Sequence, residues 1–210
     1  MSAHRTAGGV FKLLAALGAM DGLYLLVMRP RLATWGTTEA EARRAMPGDE
    51  QVTDPILMST RAVTIKARSD EIWRWLVQIG YQRGGLYSYD RLDQLFGILD
   101  RPSADRILPE FQHLEVGDVI PMGSGPSWPV TSVEPHHALV VMPVKDQVSW
   151  AFALYPSDEG ATRLVSRVRV KMGWPPLMKS MSVAVDIPWF LMERKMLLGI
   201  KERAEAESGG

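Results

Sequence analysis

Residues 186–207 read DIPWFLMERKMLLGIKERAEAE, and this stretch predicts a long amphipathic helix. Asp186 is a suitable N-cap, and Pro188 falls in the first turn, where its missing N–H costs nothing. About twenty helical residues span roughly 30 Å at ~1.5 Å per residue. The apolar side chains recur at three- and four-residue spacing: Trp189, Phe190, Leu191, Met192, Met196, Leu197, Leu198 and Ile200. So long an apolar face requires a broad surface to cover it.

The preceding chain supplies such a surface as a series of β-strands. Alternation of apolar and polar side chains predicts a first strand, and five more follow Pro109: 61–67, 116–122, 129–134, 138–144, 148–155 and 162–172. Between the first strand and the others, one helix is predicted from Ser69 until Gly80 and a short one from Tyr89 to Phe96. The pattern therefore predicts an α+β domain with the long helix across the apolar face of an antiparallel sheet.

The last strand shows what the two faces of this sheet carry. Its apolar side consists of Leu164, Val168 and Val170. Its opposite side carries Arg163, Arg167, Arg169 and Lys171, interpreted as the solvated face of the sheet.

Composition limits the classes of function. The 210 residues are 46% hydrophobic, enough for one domain with a sizeable core. The formal net charge of +0 gives no global attraction for nucleic acid. Because the chain has no cysteine, disulfides, thiol catalysis and cysteine-ligated metals are excluded. Two adjacent histidines, His136 and His137, point apart in a strand or turn, so no metal site or other cofactor is predicted.

The N-terminal region is strongly apolar. Residues 8–28 contain only two charged side chains, Lys12 and Asp21, and the Arg29-Pro30-Arg31 sequence follows. On a membrane-insertion scale the apolar gain and the cost of Asp21 nearly cancel. The favoured hypothesis is a membrane-spanning anchor through residues 8–28, and the excess of arginine after it places the C-terminal domain in the cytoplasm. The alternatives are a signal peptide and a helix that packs on a soluble cytoplasmic domain.

These patterns divide the chain into four segments. An apolar helix occupies residues 1–31, a connector 32–57, the main domain 58–206 and a short tail 207–210. The connector is marked by a capped short helix near Thr38 and by turn residues around Gly48 and Pro55.

The order of elements resembles the helix-grip fold of the START and polyketide-cyclase superfamily (SRPBCC). Five segments are similar to those of a bacterial branch of it: Trp73–Gly80, Arg83–Asp90, Ser103–Ile107, Val116–Pro121 and Met192–Ile200. The resemblance covers residues 34–205 and implies a curved sheet of six or seven strands around the terminal helix, with a hydrophobic pocket between them. It implies no particular reaction, because members include carriers, receptors and cyclases.

Two groups of side chains are candidates for such a pocket. Trp150 and Phe152 facing Met192 and Met196 make a soft apolar lining, although core packing explains them equally well. Polar candidates lie in the glycine-containing segment after the first helix: Arg83, Tyr87, Tyr89 and Asp90. Their possible roles are ligand contacts or acid/base groups. The structural alternative is that they only fix this loop.

Three functions remain open. The first is binding of a small hydrophobic or lipid-like molecule, as a carrier or sensor. The second is a cyclase or dehydratase-type enzyme that works in the same pocket without a metal or nucleotide cofactor. The third is a membrane-tethered interaction domain whose cavity is filled by its own side chains. Binding is favoured because the sequence shows no unmistakable catalytic set; the ligand and the oligomeric state are not specified by it.

Overall fold

The computed structural model describes residues 22–172 and 182–209. A single antiparallel sheet dominates it, with strands β1 (Leu57–Ile65), β2 (Val119–Ile120), β3 (Trp128–Glu134), β4 (Ala138–Val144), β5 (Val148–Pro156) and β6 (Thr162–Val170). The helices are α1 (Arg29–Ala33), α2 (Glu39–Arg43), α3 (Ser69–Val77), α4 (Asp90–Leu95) and α5 (Ser182–Ser208).

The six strands lie in the order β1-β6-β5-β4-β3-β2, and every neighbouring pair is antiparallel. Register shifts interrupt the pairing of β3 with β4 near Val130 and of β4 with β5 near Val141. Such irregularities bend and twist a sheet. The predicted α+β helix-grip architecture, a curved sheet with a long C-terminal helix against it, is therefore confirmed.

Helix α5 packs on one face of this sheet. Its buried side chains follow a helical spacing: Phe190, Glu193, Met196, Leu197, Ile200 and Ala204. Four of them, Met196, Leu197, Ile200 and Ala204, belong to one core cluster with inward-facing residues of β1, β5 and β6: Val63, Ile65, Trp150, Phe152, Leu154, Leu164 and Val168. The first half of the predicted apolar stripe is less buried than expected, because Trp189 and Leu191 are each 43% exposed.

The predicted start of this helix is wrong by more than one turn. The described part of the helix runs over Ser182–Ser208, so Pro188 lies inside it and Asp186 does not cap it. The Asp186 carboxylate instead accepts hydrogen bonds from the Tyr24 hydroxyl at 3.1 Å and from Arg29 Nε at 2.8 Å. A long-range ion pair thus replaces the local cap that the sequence suggested.

The far half of α5 is held by α3 and by the loop after it. Glu207 accepts hydrogen bonds from Arg74 Nη1 at 2.7 Å and from Trp75 Nε1 at 3.2 Å. The loop crosses so close to the helix that a Cβ on Gly199 would lie 2.1 Å from the Tyr87 carbonyl oxygen. Glycine is required there for steric reasons.

The basic face of the sheet is covered at its arginines, which corrects the expectation that Arg163, Arg167 and Arg169 are solvated, whereas Lys171 is exposed as expected. Arg167 is almost fully buried and donates to Asp49 Oδ2 at 2.7 Å and to the Arg44 carbonyl at 2.8 Å. Arg163 Nε donates to Glu41 Oε1 at 2.6 Å, and Arg169 Nη1 to Asp49 Oδ1 at 3.2 Å. The segment predicted as a connector therefore lies over the second face of the sheet, so that both faces are covered.

The N-terminal apolar prediction falls mostly on residues 1–21, which lie outside the described residues. From Tyr24 a π-helical turn (Tyr24–Met28) continues into α1 beside the start of α5. Among residues 22–172 and 182–209, none of the helices is both long enough and apolar enough to cross a bilayer. The membrane-spanning anchor is not supported by the described part of the chain.

Candidate ligand-binding site

An aromatic cluster forms where the first half of α5 meets the sheet. Trp150 on β5 lies at its centre, with ring centroids 4.7 Å from Trp128, 5.1 Å from Phe152 and 5.2 Å from Trp189 on α5. Trp150 is only 4% exposed, whereas Trp189 is 43% exposed. The cluster therefore begins in the core and ends at the surface.

A buried ion pair lies beneath this cluster. Arg61 on β1 donates to Glu193 Oε2 on α5, and the two residues are 4% and 2% exposed. Ser166 Oγ on β6 donates to Glu193 Oε1 at 2.8 Å, and Trp189 Nε1 donates to Oε2 at 3.1 Å. Both carboxylate oxygens are thus occupied by donors from the sheet and from the helix itself.

The network continues into the aromatic cluster and fixes it. Trp150 Nε1 donates to Ser166 Oγ at 2.7 Å, so the serine relays one indole N–H to the carboxylate. Arg61 Nε also donates to the Leu32 carbonyl at 2.9 Å, which ties in the end of α1. The N–H groups of Trp150 and Trp189 both point inward, so the exposed surface of Trp189 is essentially apolar.

The electrostatics of Glu193 are set by opposing effects. Burial raises the pKa of the Glu193 carboxyl, whereas the Arg61 guanidinium and the Ser166 and Trp189 donors favour its ionised form. A protonated oxygen would lose one of the donors that now point at it. The hydrogen-bond geometry therefore specifies a carboxylate paired with a guanidinium in a dry environment.

Sequence reasoning missed this network, although a signal was present. Arg61 and Ser166 face each other in the β1–β6 register, at positions where the neighbours Val63 and Leu164 point into the core. Glu193 stands one turn from Trp189 and from Met196, within the apolar stripe of α5. A charged residue at an apolar position of an element indicates a buried charge, although it does not identify the partner.

The structure brings the predicted apolar residues together in part. Trp150 and Phe152 are neighbours in the aromatic cluster, and Met192 on α5 is half-buried. Phe152 and Met196 are buried in the continuous core, with Leu197 and Ile200. The space beside the second half of α5 is therefore filled by side chains.

Arg83 and Tyr87 are engaged at the end of α3. Arg83 Nη2 donates to the Val77 carbonyl at 2.8 Å, and Nε donates to the Ile79 carbonyl at 3.1 Å. The Tyr87 hydroxyl accepts from Gln78 Nε2 at 2.9 Å and donates to the Trp75 carbonyl at 3.2 Å. Burial raises the pKa of Tyr87 and lowers that of Arg83. These contacts hold the loop on α3 and α5.

Tyr89 and Asp90 lie further along the same loop. Tyr89 is exposed, and Asp90 Oδ1 accepts a hydrogen bond from Ser103 Oγ at 2.6 Å. Tyr87 packs on Gly199, ten residues beyond Trp189 and thus about 15 Å further along the helix. The contacts of Arg83 and Tyr87 are accordingly separate from the aromatic cluster.

Two open grooves occur on the described surface. One, of about 570 Å³, lies at the end of α5 and is lined by Trp75, Asp105, Arg106, Ile107, Glu202, Arg203, Ala206 and Glu207. The other, of about 290 Å³, lies along α2 and is lined by Thr34, Thr37, Thr38, Glu39, Ala42 and Arg43. Neither is lined by the residues predicted for the pocket. Within residues 22–172 and 182–209, no three His, Cys, Asp or Glu side chains form a group that could hold a metal ion.

Solved structures with a similar chain fold come from several bacteria. CalU16 from Micromonospora echinospora is 15% identical with a TM-score of 0.41, over 72% of this chain and 86% of that one. The Polyketide_cyc-like protein Cgl2372 from Corynebacterium glutamicum is 15% identical with a TM-score of 0.42, over 72% and 93%. NE0264 from Nitrosomonas europaea is 15% identical with a TM-score of 0.46, over 75% and 100%.

No protein-family model and no curated protein matches the chain. At these identities the likeness to solved structures concerns the fold and transfers no activity. The chemistry of this chain therefore follows only from its own residues.

Proposed function

We propose that this chain binds a small hydrophobic or lipid-like molecule against the aromatic cluster at the first half of α5, as a carrier or sensor. The observation that carries the proposal is the half-exposed Trp189, whose ring lies 5.2 Å from that of the buried Trp150 at an interplanar angle of 48°. An apolar ligand that covers this ring gains about 25 cal/mol for each Å² of apolar surface removed from water.

The buried network supports the proposal by making the platform rigid. The hydrogen bond from Trp189 Nε1 to Glu193 and that from Trp150 Nε1 to Ser166 hold both indoles in place. A ligand then meets a preorganised apolar wall, and binding loses less side-chain entropy. Small-molecule sites combine such walls with a few fixed polar groups, and Met192 beside Trp189 adds an adaptable contact.

Titration of the purified full chain with a fluorescent fatty acid tests this proposal. The expected affinity is micromolar, about −8 kcal/mol. Trp189→Ala should weaken binding roughly tenfold, which is ~1.4 kcal/mol, and Trp189→Phe should restore most of it. Val116→Ala, which shortens an exposed apolar side chain that is not a member of the cluster, is the matched control. Equal affinity in Trp189→Ala and wild type would refute the proposed position of the ligand.

A cyclase or dehydratase-type reaction is the second candidate, and the Arg61–Glu193 pair favours it. A carboxylate in a dry site beside a guanidinium is an acid/base group of the kind that works without a metal or nucleotide cofactor. Glu193→Gln should then abolish turnover and retain ligand binding once a substrate is known. The alternative acid/base candidates lie in the loop after α3: Arg83, Tyr87, Tyr89 and Asp90. If they carry the reaction, Tyr89→Phe should abolish turnover and retain ligand binding. Loss of binding and turnover together would instead assign Glu193 to the pocket wall.

The third candidate, an interaction domain with a filled cavity, is favoured by the packing of Phe152, Met196, Leu197 and Ile200. Absence of any saturable binding by apolar probes would select it. The anchor through residues 8–28 with the domain in the cytoplasm stays a prediction alongside all three. Resistance of the full chain to carbonate extraction from membranes would support that anchor.

A further inference from the structure

Two adjacent helices expose a run of large apolar side chains. They are Leu23, Leu25, Leu26 and Met28 from the N-terminal helical segment and Val185, Trp189 and Leu191 from α5. We call these seven residues the paired-helix surface. Leu26 is 80% exposed, and the least exposed member, Val185, is 38% exposed.

The two helices are fixed to each other, so the paired-helix surface belongs to the folded domain. Asp186 accepts hydrogen bonds from Tyr24 and Arg29, and burial together with this carboxylate raises the pKa of Tyr24 to about 12. Trp35, just after α1, packs edge-on against Phe190 with ring centroids 6.2 Å apart. A group of exposed large apolar side chains on a folded domain marks an interaction surface.

The charges around this surface indicate the kind of partner. Its two segments, residues 22–33 and 182–195, contain the basic residues Arg29, Arg31, Arg194 and Lys195 and the acidic residues Asp186 and Glu193. Both acidic residues are paired, Asp186 with Arg29 and Glu193 with Arg61, and Lys195 Nζ lies 3.4 Å from Glu202 Oε2. Among the described residues, Arg31 and Arg194 are the basic members of these segments that stand outside an ion pair. The surface is therefore locally basic on a chain whose formal net charge is +0.

We infer that the paired-helix surface docks on an anionic lipid bilayer, with its leucines and Trp189 in the interface and its arginines at the headgroups. Helices that expose apolar side chains beside basic ones insert these apolar side chains about 5–10 Å into the headgroup boundary. Basic residues near the surface each add about 1 kcal/mol of attraction to anionic lipid. In the sequence, the apolar stretch 8–20 leads directly into the same helical segment, which continues the apolar character along the chain.

This docking does not depend on whether residues 8–28 span the membrane, and it goes beyond the proposed ligand site. It does have a consequence for that site, because Trp189 belongs to both the aromatic cluster and the paired-helix surface. A docked molecule presents the open end of its aromatic cluster to the bilayer. A lipid-like ligand then reaches the cluster without crossing water.

Single-cysteine labelling tests the inference cleanly, since the natural chain has no cysteine. Leu191→Cys and Leu26→Cys, each made in the full chain, carry the environment-sensitive fluorophore nitrobenzoxadiazole. Val116→Cys, at a side chain that is 63% exposed outside the surface, is the matched control. Each protein is reconstituted with phosphatidylcholine vesicles with and without phosphatidylglycerol.

With phosphatidylglycerol present, the labels at 191 and 26 should shift to the blue and gain intensity several-fold, and high salt should reverse much of this gain. The label at 116 should not change. Unchanged emission at 191, or an equal change at 116, would overturn the inference even if the chain stays vesicle-bound through residues 8–28. A blue shift that depends on protein concentration without vesicles would assign the surface to a second copy instead. Fatty-acid affinity of the same labelled proteins, measured without vesicles, reports separately on the ligand site.

Discussion

At the scale of single residues, the Arg61–Glu193 pair is the strongest determinant of the site. Arg61→Met should destabilise the full chain by about 3–5 kcal/mol, because it leaves a buried carboxylate without its counter-charge. Urea-induced unfolding measures this loss. An unchanged midpoint would contradict the buried pair.

The double variant Arg61→Met with Glu193→Leu provides the control for this prediction. It removes both charges and replaces them with apolar side chains of comparable volume. Because well-packed apolar replacements of buried ion pairs are often neutral, the double variant should be more stable than Arg61→Met alone. A double loss equal to the sum of the single losses would mean that the two residues act independently.

The aromatic residues of the site are predictable from the sequence, whereas its buried polar network is not. The apolar members of the cluster, Trp150 and Phe152, follow from strand alternation, because the period of two assigns them to the inner face. The partnership of Arg61, Ser166 and Glu193 does not follow, because it needs the register of β1 with β6 and the rotation of α5. Periodicity predicts which face of each element is buried, but it does not predict which residues of two elements pair.

At the scale of elements, the segment predicted as a connector (residues 32–57) covers the basic face of the sheet and pairs with its arginines. The hydrogen bond from Arg163, with contributions from the Thr38 cap, lowers the pKa of Glu41 from 4.5 to about 2. A carboxyl whose folded pKa is depressed contributes stability above its unfolded pKa and loses it as the pH falls through its folded pKa. The Glu41 contribution should therefore disappear between pH 4.5 and about 2.

Comparison with Glu41→Gln isolates this effect from the titration of other groups. At neutral pH the variant should be less stable by about 1.5–3 kcal/mol, the range for hydrogen bonds to charged groups. The difference in unfolding free energy should shrink as the pH falls through the stated window. A difference that is independent of pH would show that Glu41 is not an ionised partner of Arg163.

The contact between the Tyr87 loop and α5 gives a prediction at the same scale. Gly199→Ala should destabilise by about 1–3 kcal/mol, because its methyl group meets the Tyr87 carbonyl. Gly22→Ala, at a helical glycine with no atom within 4 Å, should instead stabilise by up to ~1 kcal/mol. Thermal unfolding of both variants measures these two changes in stability. Equal melting temperatures would mean that the loop does not press on the helix.

Element boundaries were harder to predict than element types. The sequence predicts the start of α5 at Asp186 because Asp and Pro are good residues for a helix start. In the structure the Asp186 carboxylate accepts hydrogen bonds from Tyr24 and Arg29, which are distant in sequence, and the described helix already includes Ser182. The sequence predicts solvated arginines on β6 because their partners Glu41 and Asp49 lie more than a hundred residues away.

At the scale of the whole molecule, the fold was predictable because its signals are local and repeated. Strand alternation, turn residues and one long amphipathic helix all agree on an antiparallel sheet gripping a helix. The position of an open site was not predictable in this way. It depends on which half of α5 is fully covered, and the sequence stripe predicted that Trp189 is buried whereas it is 43% exposed.

Titration of the wild-type full chain with decanoate, followed by the tryptophan indole N–H signals in two-dimensional NMR, tests the central claim most directly. Ligand against the aromatic cluster should shift the signals of Trp128, Trp150 and Trp189 saturably. The signals of Trp73 and Trp75, which lie on α3 outside the aromatic cluster, should stay in place and serve as internal controls. Movement of the Trp75 signal with the Trp189 signal unchanged would instead locate binding in the groove at the end of α5. No saturable shift in any indole signal would contradict the account of this protein as a binder of small apolar molecules.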